Sequence, residues 1–148
     1  MKKTKEKQYL YVKDYGDMLS QVKNKELVSF TMFGSYQGEW FAVLRGGDNL
    51  ELWRGEYGSC SGCDFLEATA DWDYVGSDLN YKITKEEAEA YFREEKPFLE
   101  VKEEVLLGLS IGELRSILPK KVLDDMYDFD LNQFYSDLQK VKKQNEKN

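Results

Sequence analysis

Three β-rich segments between residues 26 and 57 are joined by turns too short for anything but antiparallel pairing. Leu27-Val28-Ser29-Phe30-Thr31-Met32-Phe33 and Trp40-Phe41-Ala42-Val43-Leu44-Arg45 flank Tyr36-Gln37-Gly38-Glu39, which reads as a turn. Gly46-Gly47-Asp48-Asn49 follows, a hairpin signal because glycine and Asn/Asp tolerate positive φ. Leu50-Glu51-Leu52-Trp53-Arg54 then alternates at the period of a strand. Connections this short cannot carry a parallel crossover. The segment predicts a three-stranded antiparallel meander over about 26–57.

Around the meander the chain reads as helical. Leu10, Tyr11, Tyr15, Met18, Leu19 and Val22 recur near helical spacing and predict a helix across residues 8–23, weakened at Gly16. Asp64 and Glu67 have capping-box spacing for a short helix. Thr84 and Glu87 have it for a second, which places Ala88, Tyr91 and Phe92 on one face and ends at Pro97. Ser110 with Glu113 caps a stretch through Leu114, Ile117 and Leu118, and Pro119 opens a short helix through Val122, Leu123 and Met126. Asp130 precedes a last helix with Leu131, Phe134, Tyr135, Leu138 and Val141. The expected fold class is α+β: the meander flanked by an N-terminal helix and several C-terminal helices. The length suits a single domain over 1–148, with lysine-rich frayed ends at 1–7 and 142–148.

The chain contains no histidine. That removes Ser-His and Cys-His nucleophile pairs, histidine general bases and every histidine-containing metal site. Any chemistry would run on carboxylates, tyrosines, lysines or the two thiols. No apolar run approaches the ~20 residues a membrane span needs, and no apolar signal-peptide stretch follows the charged start. The expected location is therefore the cytoplasm, with no membrane partner. The net charge of −7 is unevenly spread: residues 1–25 carry +4, residues 139–148 carry +3, and the body between carries −14. Its densest part, 64–104, holds thirteen acids against five bases. Such acidity repels phosphates, so tight binding to bare nucleic acid is not expected.

Cys60-Ser61-Gly62-Cys63 is the sharpest motif. Two thiolates two residues apart suit zinc, but a structural site wants four ligands, so a homodimer would have to supply the rest. A thioredoxin-like role needs the motif inside a βαβ unit, which the preceding hairpins do not provide. In the third reading the thiols only pack in a tight loop. No cofactor is the leading expectation, with zinc at Cys60 and Cys63 as the alternative. Asp64, Glu67 and Asp71, with Asp73 beyond, line one helical face and have the chemistry for Mg²⁺, although any solvated helix face shows this pattern. Asp124-Asp125 with Asp128 and Asp130 lacks the spacing and closing glutamate of an EF-hand loop. Trp40, Phe41, Trp53, Tyr57 and Trp72 either form core or line a partner pocket.

Gly34-Ser35-Tyr36-Gln37-Gly38-Glu39-Trp40 and Tyr57-Gly58-Ser59-Cys60-Ser61-Gly62-Cys63-Asp64 together resemble segments of small proteins of bacteriophages and mobile elements, over about residues 34–73. The resemblance implies a phage setting in a bacterial host cytoplasm and supplies no reaction. The function expected on this footing is an interaction protein. It would bind and inhibit or modulate a host nucleic-acid-handling or defence protein, in the manner of an anti-CRISPR, with carboxylates standing in for phosphates. Glu86, Glu87, Glu94, Glu100, Glu103 and Glu104, with Tyr36, Trp40 and Tyr57, are expected to meet that partner. No residue is assigned as catalytic. The alternatives are a CxxC zinc module assembling as a homo-oligomer and a carboxylate- and metal-dependent enzyme, for which no convergent catalytic set is seen.

Overall fold

The structure is a computed structural model that describes residues 6–34, 37–59, 62 and 64–147. The fold is α+β, and the chain passes back and forth between two compact units. Met1–Asn24 with Tyr57–Glu95 form the first, and Lys25–Glu56 with Lys96–Asn148 form the second.

The first unit is a three-stranded antiparallel sheet with helices on one face. Its strands are β1 (Tyr9–Val12), β5 (Asp71–Val75) and β6 (Asp78–Thr84), in the order β1-β6-β5. The helix expected across 8–23 is divided: β1 comes first, and α1 spans only Tyr15–Lys23. The physical reason is Asp14, which is extended and accepts from the Asp17 N–H at 2.8 Å, so the helix starts there. Upstream, Tyr, Leu, Tyr and Val suit a strand, and β1 pairs with β6 from Tyr9 opposite Thr84 to Val12 opposite Tyr81. Asp64 and Thr84 cap α2 (Phe65–Thr69) and α3 (Lys85–Phe92) as their spacing predicts. The helix α2 stops after five residues because the chain turns into β5. Between β5 and β6, Gly76 takes φ +62° at the first position of a two-residue turn, a conformation other residues adopt only with strain. Val12, Met18, Leu19, Leu66, Ile83, Ala88 and Phe92 form this unit's buried interior.

The second unit contains the expected meander, widened by one strand. β2 (Glu26–Met32), β3 (Gly38–Gly46), β4 (Asn49–Tyr57) and β7 (Leu99–Lys102) lie in the order β2-β3-β4-β7. The β3–β4 turn places Gly47 at φ +65°. β7 pairs with β4 from Asn49 opposite Lys102 to Leu52 opposite Leu99, a long-range match that local pattern does not signal. α4 (Glu103–Gly108), α5 (Ile111–Ile117), α6 (Lys120–Leu123) and α7 (Asp128–Lys147) complete it. Ser110 and Glu113 form a full capping box on α5. Asp130 lies inside the first turn of α7 rather than ahead of it. Phe41 is the hub of the core: its ring meets Phe33, Phe134 and Phe98 at centroid distances of 4.8, 5.1 and 5.2 Å. Leu114, Leu118, Val122, Leu138 and Val141 from the helices pack into the same cluster. Fully burying one such side chain stabilises by about 1.5–3 kcal/mol.

Candidate interaction surface

Strand periodicity and register decide what the first unit exposes. Leu10, Val12, Ile83, Tyr81, Trp72, Tyr74 and Leu79 lie on one face of the β1-β6-β5 sheet, because Leu10 opposes Ile83, Val12 opposes Tyr81, Trp72 opposes Tyr81 and Tyr74 opposes Leu79. α1 and α3 pack on this sheet and bury Val12 and Ile83. They do not reach its β5 side. Trp72, Tyr74 and Leu79 are 51%, 67% and 50% exposed. The result is an exposed apolar strip across the edge strand β5 and the adjoining start of β6.

The strip is held in shape. The Trp72 and Tyr81 rings lie 4.1 Å apart at 32°. Tyr81 donates its hydroxyl proton to the Glu67 carboxylate, and burial, then Glu67, raise that hydroxyl's pKa above the ordinary tyrosine range. Tyr91 of α3 stacks on Phe65 at 4.1 Å, tying α2 to α3. On the opposite face of the sheet, Lys82 places its ammonium 4.5 Å from the centre of the Tyr9 ring and 3.8 Å from Asp73. The Tyr74 N–H, turned away from the ladder, is taken at 2.8 Å by the Asp73 carboxylate. An unpaired edge amide would otherwise be open to another strand.

Asp64 anchors the loop that leads to this surface. It is buried, and its carboxylate accepts from the Tyr15 hydroxyl at 2.8 Å, the Gly58 N–H at 3.0 Å and the Glu67 N–H at 3.1 Å. Tyr15 in turn accepts from the Leu66 N–H at 3.2 Å. Burial, then the bond to Asp64, drives the Tyr15 hydroxyl far above its usual range, so it serves as a fixed donor.

The expected acidic residues are divided between the two units. Glu86, Glu87 and Glu94 are exposed in the first unit, whereas Glu100, Glu103 and Glu104 belong to the second. Glu86 and Glu87 line an open cleft of about 550 Å³ that also carries Lys7, Lys85 and Arg93, so the charge there is mixed. Glu103 has an internal partner: Arg45 reaches it at 2.7 Å through Nε and holds its carboxyl below the usual range. Trp40 is a correction. It is 1% exposed, with its ring packed against Gly55, so it is not part of an exposed contact surface. Tyr57 is half-buried. Tyr36, Cys60 and Cys63 lie outside the described residues.

The acidic face Asp64–Glu67–Asp71 does not form either. Asp64 is committed to its cap and Asp71 has moved onto β5 opposite Lys82. Among the described residues, no three carboxylates or thiols stand together as a ready metal-ligand set, and no helix is long and apolar enough to cross a membrane. The chain matches no family model, no curated protein and no solved structure. Sequence reading missed the Trp72–Tyr74–Leu79 strip by carrying the helix that starts at Asp64 on through Asp71, where the chain is already in β5. The signal was the alternation on either side of Gly76-Ser77.

Proposed function

We propose that this chain is an interaction protein that binds a nucleic-acid-handling host protein, the setting suggested by the phage resemblance of residues 34–73. The contact runs through the apolar strip of the β5–β6 hairpin, with the α3 glutamates steering a basic partner toward it. One observation carries the reading: Trp72, Tyr74 and Leu79 stand at least half exposed on a single sheet face. Tryptophan and tyrosine are the residue types that most often dominate binding energy at protein interfaces, and contiguous exposed apolar side chains mark such sites. Glu67, bonded to Tyr81 next to Trp72, borders the strip and favours lysine and arginine on the partner.

The test is affinity capture from bacterial lysate with the wild-type chain, Trp72→Ala, and the pair Glu86→Lys with Glu87→Lys, quantified by mass spectrometry. The strip reading expects a captured protein to be lost with Trp72→Ala and only reduced by the charge reversal. Its capture should also fall gradually rather than steeply as salt is raised. Loss on charge reversal with full retention by Trp72→Ala would move the contact to the acidic helix and sink the strip.

A further inference from the structure

Two other groups of exposed aromatic rings have a cation of the chain's own beside them. On the opposite face of the β1-β6-β5 sheet, Lys82 places its ammonium 4.5 Å from the centre of the Tyr9 ring and 6.0 Å from that of Tyr11. In the second unit Tyr127 and Phe129 stand exposed, and Asp128 between them in sequence takes Arg115 at 3.2 Å. The strip of the β5–β6 hairpin differs. The register of β1, β6 and β5 places no lysine or arginine on its face. The charge beside it is negative: Glu67 is exposed and commits Oε1 to the Tyr81 hydroxyl, which leaves Oε2 open to a ligand.

Ring geometry narrows which cation fits. The Tyr81 ring lies 4.1 Å from that of Trp72 at 32° and covers one face of the indole, yet Trp72 remains half exposed. The bond to Glu67 holds Tyr81 in place, so the indole rests on a fixed ring. A preset aromatic face suits a planar cation. Guanidinium is planar, weakly hydrated and stacks on aromatic faces, whereas an ammonium is compact and loses more hydration on leaving water. Tryptophan is the aromatic that attracts a cation best.

We propose that the strip takes an arginine side chain of its protein partner in preference to lysine, with the guanidinium stacked on Trp72 and Glu67 supplying the opposite charge. The inference rests on the strip being the contact surface and adds the chemistry that it selects. Arginine is also the residue that proteins use most where phosphates are held. An arginine-selective strip would therefore favour the phosphate-binding face of a nucleic-acid-handling partner. Tyr74 and Leu79 flank the site and supply apolar contact for the rest of the partner segment.

The probes are an alternating Gly-Arg peptide and its Gly-Lys counterpart of equal length, each titrated into the isotope-labelled full chain and followed by NMR. The indole N–H signals give the readout, because Trp72 is exposed while Trp40 and Trp53 are buried and report the state of the fold. The expected result is a saturable shift at the Trp72 indole and the Trp72 and Tyr74 amides, with the arginine peptide binding roughly threefold or more tighter than the lysine peptide. Trp72→Leu should lower the arginine peptide to the affinity of the lysine peptide. Glu67→Gln, which keeps an acceptor for Tyr81, should weaken both. Equal binding of the two peptides at Trp72 overturns the proposal. So does an arginine preference that survives Trp72→Leu, that centres on Glu86 and Glu87, or that is untouched by Glu67→Gln. Should Trp72→Leu disturb the Trp40 and Trp53 signals, the wild-type comparison alone decides. Equal peptide binding overturns the arginine preference even where Trp72→Ala abolishes capture from lysate. An arginine preference at Trp72 with no captured protein upholds it and sinks the wider interaction reading.

Discussion

Replacing Gly55 with alanine tests the packing that removes Trp40 from the surface. A Cβ at position 55 would lie 2.2 Å from Cζ2 and 2.5 Å from Cε2 of the Trp40 ring, far inside van der Waals contact. The backbone there is ordinary, so strand propensity alone would favour alanine over glycine by up to about 1 kcal/mol. The ring cannot swing away cheaply, because Trp40 is 1% exposed and also packs near Phe30 at 5.9 Å. Overpacking of this kind costs about 1–3 kcal/mol. At about 2–4 °C per kcal/mol for a chain near this size, melting should fall by roughly 2–12 °C. The double variant with Trp40→Phe should recover part of the loss, since the smaller ring vacates the space. Thermal and urea denaturation of the two single variants and the double variant gives the coupling. A Gly55→Ala protein as stable as wild type, or strictly additive losses, would refute the close approach.

Three further outcomes follow from the same structure. Asp64→Asn should destabilise by about 1–3 kcal/mol in chemical denaturation, because it disturbs a buried acceptor serving Tyr15, Gly58 and Glu67 together; a neutral effect would show that the node is dispensable. Glu103→Gln should be less stable than wild type at neutral pH, since the folded-state pKa of Glu103 is lowered by Arg45 and the pair's contribution is present above the unfolded value. That difference should close as pH falls through the depressed folded value, and a difference that is constant with pH would contradict the pairing. For Cys60 and Cys63, elemental analysis of purified protein should return no stoichiometric zinc; half an equivalent per chain, lost together with a dimer in Cys60→Ser, would establish the shared thiolate site instead.

The readable parts of this fold are those written within a few residues. The Gly47 turn, the caps at Asp64, Thr84 and Ser110, and the helix opened by Pro119 all rest on short-range hydrogen bonding, and all are present. The unread parts rest on distant pairing. β1 finds its neighbour in β6, about seventy residues along, and the apolar spacing of residues 10–22 serves a helix equally well until Asp14 interrupts it. β7 is four residues long and takes its identity from β4. Trp40 illustrates a different limit. Alternation assigns side chains to two faces of β3, but it does not tell which face is wet, and here both are buried from Trp40 to Leu44. The candidate surface was legible only as composition: acids and aromatics were evident around 71–81, while their placement on an uncovered sheet face required the register of β5 and β6.

The interaction reading is tested most directly by a photo-crosslinking amino acid placed at position 74, which is 67% exposed, and in a separate protein at position 127, which is 75% exposed in the other unit. Irradiation in bacterial lysate, followed by mass spectrometry, reports what each surface touches. The account predicts a discrete adduct from position 74 that disappears when Trp72 is also changed to alanine, and none from position 127. A discrete adduct from position 127 alone, or adducts at both positions that are indifferent to Trp72, would contradict it.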